Sequence, residues 1–216
     1  MSENLYQSEN LKHLSHLKEL APEQAKAFNE FNVAVFKEGA LSEKEKEIIA
    51  VAVTHVTQCP YCIDIHTKKA KKTGATLEEL TEAVFVTAAI EAGGTVTHST
   101  HVHNAKTQES DALYARSNLK HLGQLGKFAP VGFKGYQAFN AAATKAGKLS
   151  EKFKEIISVA VGTATQCPYC IDVHTKNAEK LGVTNEELAE AIMVTSAVVA
   201  GGSYAHLANM IQSYRD

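Results

Sequence analysis

The sequence predicts an all-α fold built as two copies of one helical unit, and three observations lead to this prediction. The chain repeats itself at an offset of 108 positions, helix caps recur at matching places, and no segment alternates like a half-buried strand. Leu41–His66 and Leu149–His174 are identical at 20 of 26 positions. We therefore predict a tandem duplication with units at residues 1–108 and 109–216. The polar seam near Lys106–Asp111 has no Pro or Gly linker, which favours close packing of the copies.

The first half of each unit is expected to hold three helical segments. Amphipathic stretches near 7–19 and 22–37 come first. Ser42 and Glu45 then form a capping box before a run rich in Ile and Val, and the cap favours a helix over a buried strand. The second copy keeps Ser150 but has Phe153 at the box position, so we expect a weaker cap there.

The second half of each unit reads as three further helices. One begins at a proline and ends at a glycine, the next opens with a capping box and runs to a Gly-Gly pair, and a final helix follows. These positions are Pro60, Gly74, Thr76 and Gly93-Gly94 in the first copy, and Pro168, Gly182, Thr184 and Gly201-Gly202 in the second.

Composition excludes several classes of function. The chain has 22 Lys and Arg against 24 Asp and Glu, with no basic stripe, so we expect neither nucleic acid nor an anionic membrane as a partner. No unbroken apolar run approaches the roughly 18 residues of a membrane span. The start Met1-Ser2-Glu3-Asn4 does not resemble an export signal, and we expect a cytoplasmic protein.

The four cysteines carry the clearest chemical signal. They form two Cys-Pro-Tyr-Cys motifs, each followed by a histidine: Cys59, Cys62 and His66, then Cys167, Cys170 and His174. In a reducing compartment such pairs indicate redox chemistry or metal binding more often than structural disulfides. On a helix that begins at Pro60, Cys62 and His66 lie one turn apart on the same face, and Cys59 is within reach of Cys62 for a disulfide.

The sequence gives a reason for each of the two cysteines to be the attacking thiolate. Cys59 lies nearest the helix N-terminus, whereas Cys62 has the histidine as a base, and a base does more for a thiol than a weak dipole. We therefore expect Cys62 to attack. A buried inert pair is one alternative, and a zinc site is another, although three ligands at the start of one helix would crowd one side of a tetrahedral ion.

The spacing of Glu47, Cys59, Cys62 and His66 resembles the signature of the alkylhydroperoxidase D and carboxymuconolactone decarboxylase superfamily. The second copy repeats it at Glu155, Cys167, Cys170 and His174, so the resemblance covers essentially the whole chain. Without the resemblance, the first glutamate would read as part of a solvated helix face, because it closes a run of alternating charges. The resemblance implies an all-helical fold that assembles into oligomers.

The resemblance also implies a mechanism, namely reduction of hydroperoxides by thiols. Cys62 and Cys170 would form the sulfenic acid, and Cys59 and Cys167 would resolve it as a disulfide. The proton relay would comprise Glu47, His66, Glu155 and His174. No metal or organic cofactor is required. The implied partners are a hydroperoxide substrate, an external dithiol reductant and further copies of the chain.

Two features depart from alkylhydroperoxidase D itself. Tyr61 and Tyr169 stand where that protein has a histidine, and both motifs here are intact, which places the chain in the broader peroxidase-related branch. A disulfide oxidoreductase, a redox or metal sensor without turnover, and a small-molecule binding protein are the alternatives. His98 and His206 either line the thiol pocket or pack, and the neighbours of the former, His101 and His103, have no counterparts in the second copy.

Overall fold

The computed structural model describes residues 6–107 and 114–215, and all regular structure in these ranges is helical. The first unit has a 3₁₀ helix, Ser8–His16, followed by α1 (Leu17–Leu20), α2 (Pro22–Val35), α3 (Glu43–Thr57), α4 (Pro60–Lys72) and α5 (Leu77–Thr107). The second unit has a 3₁₀ helix, Arg116–His121, followed by α6 (Leu122–Phe128), α7 (Pro130–Thr144), α8 (Glu151–Ala164), α9 (Pro168–Lys180) and α10 (Asn185–Arg215). The predicted all-α fold is confirmed.

The predicted caps set the helix ends. The Ser42 hydroxyl accepts the Glu45 amide at 3.3 Å, and the Glu45 carboxylate accepts the Ser42 amide at 2.8 Å, which completes the capping box of α3. At α8, Ser150 accepts the Phe153 amide at 3.1 Å and receives nothing from the phenylalanine side chain, so this cap is weaker, as predicted. Gly74 follows α4 with φ of +86°, a left-handed conformation that favours glycine.

The Gly-Gly pairs do not end a helix, and here the sequence prediction was wrong. α5 runs without a break through Gly93-Gly94, and α10 does the same through Gly201-Gly202. Each glycine inside a helix costs roughly 0.5–1 kcal/mol relative to alanine. The close approach in this pair is at Gly93, where an added Cβ would lie 3.0 Å from the Tyr136 hydroxyl, whereas a Cβ on Gly94 would make an ordinary contact of 3.7 Å with the Cys167 sulfur.

Two central helices, α3 and α8, form the core. Their Ile and Val side chains are almost wholly buried, and the two helices pack on each other and on the long helices α5 and α10. The long helix of each unit therefore packs on the core helix of the other unit as well as on its own.

Two buried lysines connect the units. Lys154 lies 2.9 Å from Glu82 of the first unit, and that carboxylate also accepts the backbone amides of Lys148 and Leu149 at 2.7 and 3.0 Å. With the units exchanged, Lys46 pairs with Glu190 at 3.0 Å. The copies are interlocked, in agreement with the close packing predicted. The unit boundary itself stays a prediction, because residues 108–113 of the seam lie outside the described residues.

Helix α10 differs from the sequence expectation in hydropathy. Within the described ranges it is the one helix that is long and apolar enough to cross a bilayer by length and composition, with a mean hydropathy of 1.3 over 18 residues. The expectation considered only unbroken apolar runs and overlooked this averaged window. Since 44% of the window is buried inside the protein and α10 packs on α3 and α8, core packing accounts for part of its apolar character.

Candidate thiol active site

The first cysteine pair lies at the start of α4. Cys59 is the N-cap residue, and its sulfur accepts the Cys62 backbone amide at 3.2 Å. The two cysteines form a disulfide with a Cα–Cα distance of 5.3 Å, and both are buried. The reach for a disulfide predicted from the spacing is confirmed at this site.

The second pair repeats this arrangement at the start of α9 as a free dithiol. Cys167 is the N-cap, its sulfur accepts the Cys170 amide at 3.2 Å, and both thiols are buried. Gln166, just before the N-cap, has a φ of +54°, and its counterpart Gln58 has a φ of +52°. The same left-handed turn thus directs the chain into each cysteine helix.

The negative charge of the reduced second pair belongs on Cys167. Hydrogen bonding from the Cys170 thiol lowers the pKa of Cys167 to about 5; burial opposes this, while the Cys170 amide, Thr97 and the charge of His98 reinforce it. The same hydrogen bond, with burial, raises the pKa of Cys170 far above its usual range. This distribution is opposite to the order that histidine spacing suggested, because the Cys170 thiol donates to the Cys167 sulfur and the charge of His98 acts on Cys167.

Each predicted glutamate–histidine pair is assembled. Glu47 on α3 lies 2.7 Å from Nδ1 of His66, and Glu155 on α8 lies 2.7 Å from Nδ1 of His174. Glu47 is only 5% exposed, so the interpretation as a solvated helix face is wrong. A carboxylate on Nδ1 fixes that nitrogen as the donor and leaves Nε2 as the basic atom.

The two relays differ in their surroundings. In the first, Lys69 lies 3.9 Å from Glu47, and the Phe36 ring stacks on His66 with centroids 5.4 Å apart. In the second, the amide of Asn177 occupies the lysine position and donates to Glu155 at 3.5 Å. This difference lies just beyond Leu41–His66 and Leu149–His174, the stretches in which the two copies are most alike.

Each cysteine pair is covered by the long helix of the other unit. On α5, Thr97 Oγ1 lies 3.9 Å from the Cys167 sulfur. On α10, Ala205 packs with Cys59 and Cys62. Thr97 and Ala205 are 108 positions apart, so they are equivalent positions with different chemistry. Sequence reasoning missed Thr97, although comparing the copies for differences rather than identities reveals the substitution.

A cavity of about 320 Å³ opens onto the second pair. Cys167 forms part of its wall and Cys170 is not among its lining residues. His98 lines this cavity, so the first of the two alternatives left open by the sequence holds for this histidine. Within residues 6–107 and 114–215, its buried Nε2 has no hydrogen-bond partner. Among the described residues, the lining comprises Glu91, Gly94, Thr95, His98, Thr165 and Cys167.

The remaining sequence candidates take part in packing. The Tyr169 hydroxyl accepts the Asn118 side-chain amide at 3.1 Å, and Tyr61 accepts that of Asn10 at 3.4 Å. His206 lies 6.0 Å from the Tyr61 ring. Within residues 6–107 and 114–215, no three His, Cys, Asp or Glu side chains are grouped so as to hold a metal.

Comparison with known proteins places this geometry in a family. The curated relatives include an "Uncharacterized protein 4 in cox locus" of Paracoccus denitrificans, 48% identical over 73 residues, which are 34% of this chain and 66% of the relative. An uncharacterized protein of Cupriavidus necator is 32% identical over 97 residues, 45% of this chain and 85% of the relative. An uncharacterized protein of Haemophilus influenzae is 36% identical over 95 residues, 44% of this chain and 84% of the relative.

These relatives are each about as long as one unit of this chain, and the chain spans just under two thirds of the first. The family model for the carboxymuconolactone decarboxylase family matches twice, at residues 22–104 and at 130–212. Each match contains one cysteine pair together with its glutamate and histidine. The chain belongs to the carboxymuconolactone decarboxylase family, of which it carries two units in tandem.

Proposed function

We propose that the protein is a thiol-dependent peroxidase that reduces hydroperoxides through a Cys-x-x-Cys disulfide. The observation that supports this most strongly is the junction of a helix-capping thiol pair with a buried Glu–His pair, built twice in one chain. A thiolate is the reactive form of cysteine, and a thiol with a pKa near 5 is a thiolate at neutral pH.

The reaction at the second site follows from the charge distribution. The Cys167 thiolate attacks the terminal oxygen of R–O–OH, the O–O bond breaks, and the alkoxide leaves and takes up a proton. Cys167 is thereby oxidised to a sulfenic acid. The Cys170 sulfur then attacks the Cys167 sulfur, the S–O bond breaks, and hydroxide leaves as water after protonation. The two thiols supply both electrons and end as a disulfide.

The Glu155–His174 pair serves the second of these steps. Cys170 has a raised pKa and needs a base before it can attack. His174 lies one helical turn after Cys170, and with Nδ1 held by Glu155 its Nε2 is available to accept the thiol proton. In this scheme the histidine assists the resolving cysteine, whereas its spacing alone favoured Cys170 as the attacking thiolate.

An external dithiol completes the proposed cycle. It attacks the protein disulfide, forms a mixed disulfide and then leaves as its own disulfide, which restores Cys167 and Cys170. The scheme requires no metal and no organic cofactor. The hydroperoxide and the dithiol are the partners that it needs.

Stopped-flow consumption of tert-butyl hydroperoxide with excess dithiothreitol tests the activity. Wild type is compared, after treatment with a chelator, with the variant Cys59→Ser/Cys62→Ser/Cys167→Ser/Cys170→Ser. Rapid consumption by wild type that the quadruple variant loses supports the peroxidase. Equal slow consumption by both contradicts it.

Single variants test the order of the cysteines in a background that carries Cys59→Ser/Cys62→Ser. Cys170→Ser should retain one equivalent of sulfenic acid, trapped by dimedone, whereas Cys167→Ser should form none. The reverse result would restore the order expected from histidine spacing. Glu155→Gln should leave sulfenic acid formation unchanged and slow disulfide formation; unchanged disulfide formation would exclude the relay.

A disulfide oxidoreductase without peroxide turnover is the second candidate. The low pKa of the helix-capping Cys167 supports it, because such a thiol is an effective leaving group in disulfide exchange. If wild type reduces a protein disulfide rapidly while consuming peroxide no faster than the quadruple variant, this candidate replaces the peroxidase.

Self-association and a cytoplasmic location stay predictions. Large apolar side chains lie exposed at Phe128 and Val131 of the second unit, 77% and 87% accessible. Light scattering after size-exclusion chromatography gives the number of subunits.

A further inference from the structure

We propose that His98, which the first unit contributes to the second thiol site, is the catalytic acid that protonates the leaving oxygen of the hydroperoxide. This proposal rests on the proposed peroxidase function and adds a residue that the Cys-Cys-Glu-His motif does not contain. It also indicates a substrate class, namely small uncharged hydroperoxides.

Three independent features of His98 support this role. Its side chain lines the cavity of about 320 Å³ whose wall includes Cys167. Its Nε2 is buried and has no hydrogen-bond partner among the described residues, and a buried polar atom of this kind calls for a ligand or a water. His98 lies one helical turn after Gly94, where an added Cβ would contact the Cys167 sulfur, and its charge lowers the pKa of that thiol.

The neighbouring residues leave a path between imidazole and sulfur. Gly94 lies one turn before His98 on α5, and a Cβ there would be 3.7 Å from the Cys167 sulfur and 3.8 Å from the Cys170 sulfur. The missing side chain leaves the cavity in contact with Cys167 on this side. Aromatic rings hold His98 from the other directions, with Tyr169 and Tyr114 at centroid distances of 6.1 Å and His101 at 5.5 Å.

The chemistry requires an acid at this place. When the thiolate attacks R–O–OH, the O–O bond breaks and the departing oxygen carries the electron pair as an alkoxide, a strongly basic leaving group. Protonated His98 donates its Nε2 proton to this oxygen as the bond breaks, so that R–OH leaves. The neutral imidazole then regains a proton from water. Glu155 and His174 serve Cys170 separately, so one acid and one base act on different atoms.

The cavity restricts the substrate. Apart from Gly94 and Cys167, its walls are polar, formed by Glu91, Thr95, His98 and Thr165. A carboxylate at the wall repels anionic molecules. Hydrogen peroxide and short alkyl hydroperoxides suit this volume and polarity, and we expect long-chain fatty acid hydroperoxides to react more slowly.

The test uses the full chain with Cys59→Ser/Cys62→Ser, so that only the second site reacts. His98→Gln should slow oxidation of Cys167 by tert-butyl hydroperoxide and hydrogen peroxide by about 100-fold, a typical contribution of general acid catalysis. Oxidation by peracetic acid should change less than about threefold, because acetate leaves without needing a proton. His103→Gln is the matched control: it lies on the same helix and stacks on His121 at 4.1 Å, and it should leave both rates unchanged.

The outcomes separate three cases. Equal slowing with peracetic acid and with tert-butyl hydroperoxide overturns the proposal, because His98 would then affect the reactivity of the Cys167 thiolate and not the leaving oxygen. Unchanged rates with both oxidants overturn it as well. A parent variant that no peroxide oxidises contradicts the peroxidase function itself, and this inference with it. Should His98→Gln not fold, His98→Ala is assayed with added imidazole: selective recovery with the alkyl hydroperoxide supports the acid, and no recovery opposes it.

Discussion

Exchanging Thr97 and Ala205 tests whether the long helices make the two thiol sites chemically different. The two residues occupy equivalent positions, but Thr97 places a hydroxyl 3.9 Å from the Cys167 sulfur, whereas Ala205 has none to offer Cys59. Thr97→Ala should therefore raise the pKa of Cys167, and Ala205→Thr should lower that of Cys59 in the reduced protein.

The size of the effect follows from the hydrogen bonds of the threonine. The Thr97 hydroxyl also donates to the Gly94 carbonyl at 3.0 Å. To donate to the Cys167 thiolate, the hydroxyl must therefore rotate away from this carbonyl. A hydrogen bond to a charged group contributes about 1.5–3 kcal/mol, and this long, shared one should contribute about half of that, near 1 kcal/mol. Since one pKa unit corresponds to about 1.36 kcal/mol, Thr97→Ala should raise the pKa of Cys167 by somewhat less than one unit.

The assay is the pH dependence of alkylation by iodoacetamide, followed by mass spectrometry of the reduced protein from pH 4 to pH 9. The thiolate fraction rises with pH, so the rate at Cys167 should climb through an inflection near pH 5 and then level off. Thr97→Ala should move the inflection to higher pH and cut the rate below pH 5 about three- to sixfold, with the plateau unchanged. An inflection that stays in place, with a native melting temperature, would refute the role of the hydroxyl.

Three further predictions concern stability and access. Glu82→Ala should lower the free energy of unfolding at pH 7 by about 3 kcal/mol in urea titrations, because it leaves buried Lys154 without its carboxylate. Burial opposes ionisation of Glu82, but the Leu149 and Lys148 amides and Lys154 lower its pKa to about 2. The contribution of Glu82 to the free energy of unfolding should therefore fade as the pH falls from about 4.5 toward 2. A wild-type free energy of unfolding that stays constant over this range would contradict the assignment. Gly94→Ala should stabilise α5 yet slow alkylation of Cys167, since its methyl group would contact the sulfur; faster alkylation would contradict the proposed path. Glu91→Gln should raise the rate of alkylation of Cys167 by anionic iodoacetate about threefold relative to neutral iodoacetamide, because the carboxylate at the cavity wall repels anions. An unchanged ratio of the two rates would show that Glu91 does not repel anions from the cavity.

The sequence predicted the features that local chemistry determines. The capping box at Ser42, the proline at the start of α4 and the left-handed Gly74 all act within a few residues, so their signals are readable in one dimension. The pairing of Glu47 with His66 was expected from the resemblance to the superfamily, which assigns both residues to a proton relay.

What the sequence did not predict depends on contacts between the units. Gly93-Gly94 looked like a helix end, since glycine is common there, but the helix continues through the pair. The packing of Tyr136 from the other unit against Gly93, at 3.0 Å from an added Cβ, favours glycine at that position. The placement of the charge on Cys167 rather than Cys170 likewise depends on the hydrogen bond between the two thiols and on the charge of His98 from α5. Helical periodicity carries no information about which unit will supply a neighbour.

The crossing of the long helices has a consequence for how such a chain evolves. In a protein with a single unit, the helix that covers the thiol site would have to come from a second, identical copy. Because all copies have the same sequence, each mutation would change every site in that assembly. Fusion of two units removes this constraint, because Thr97 and Ala205 now belong to separate stretches of one gene. Lys69 and Asn177 have diverged in the same way. Duplication thus allows two reaction centres to be tuned independently while the interlocked scaffold is preserved.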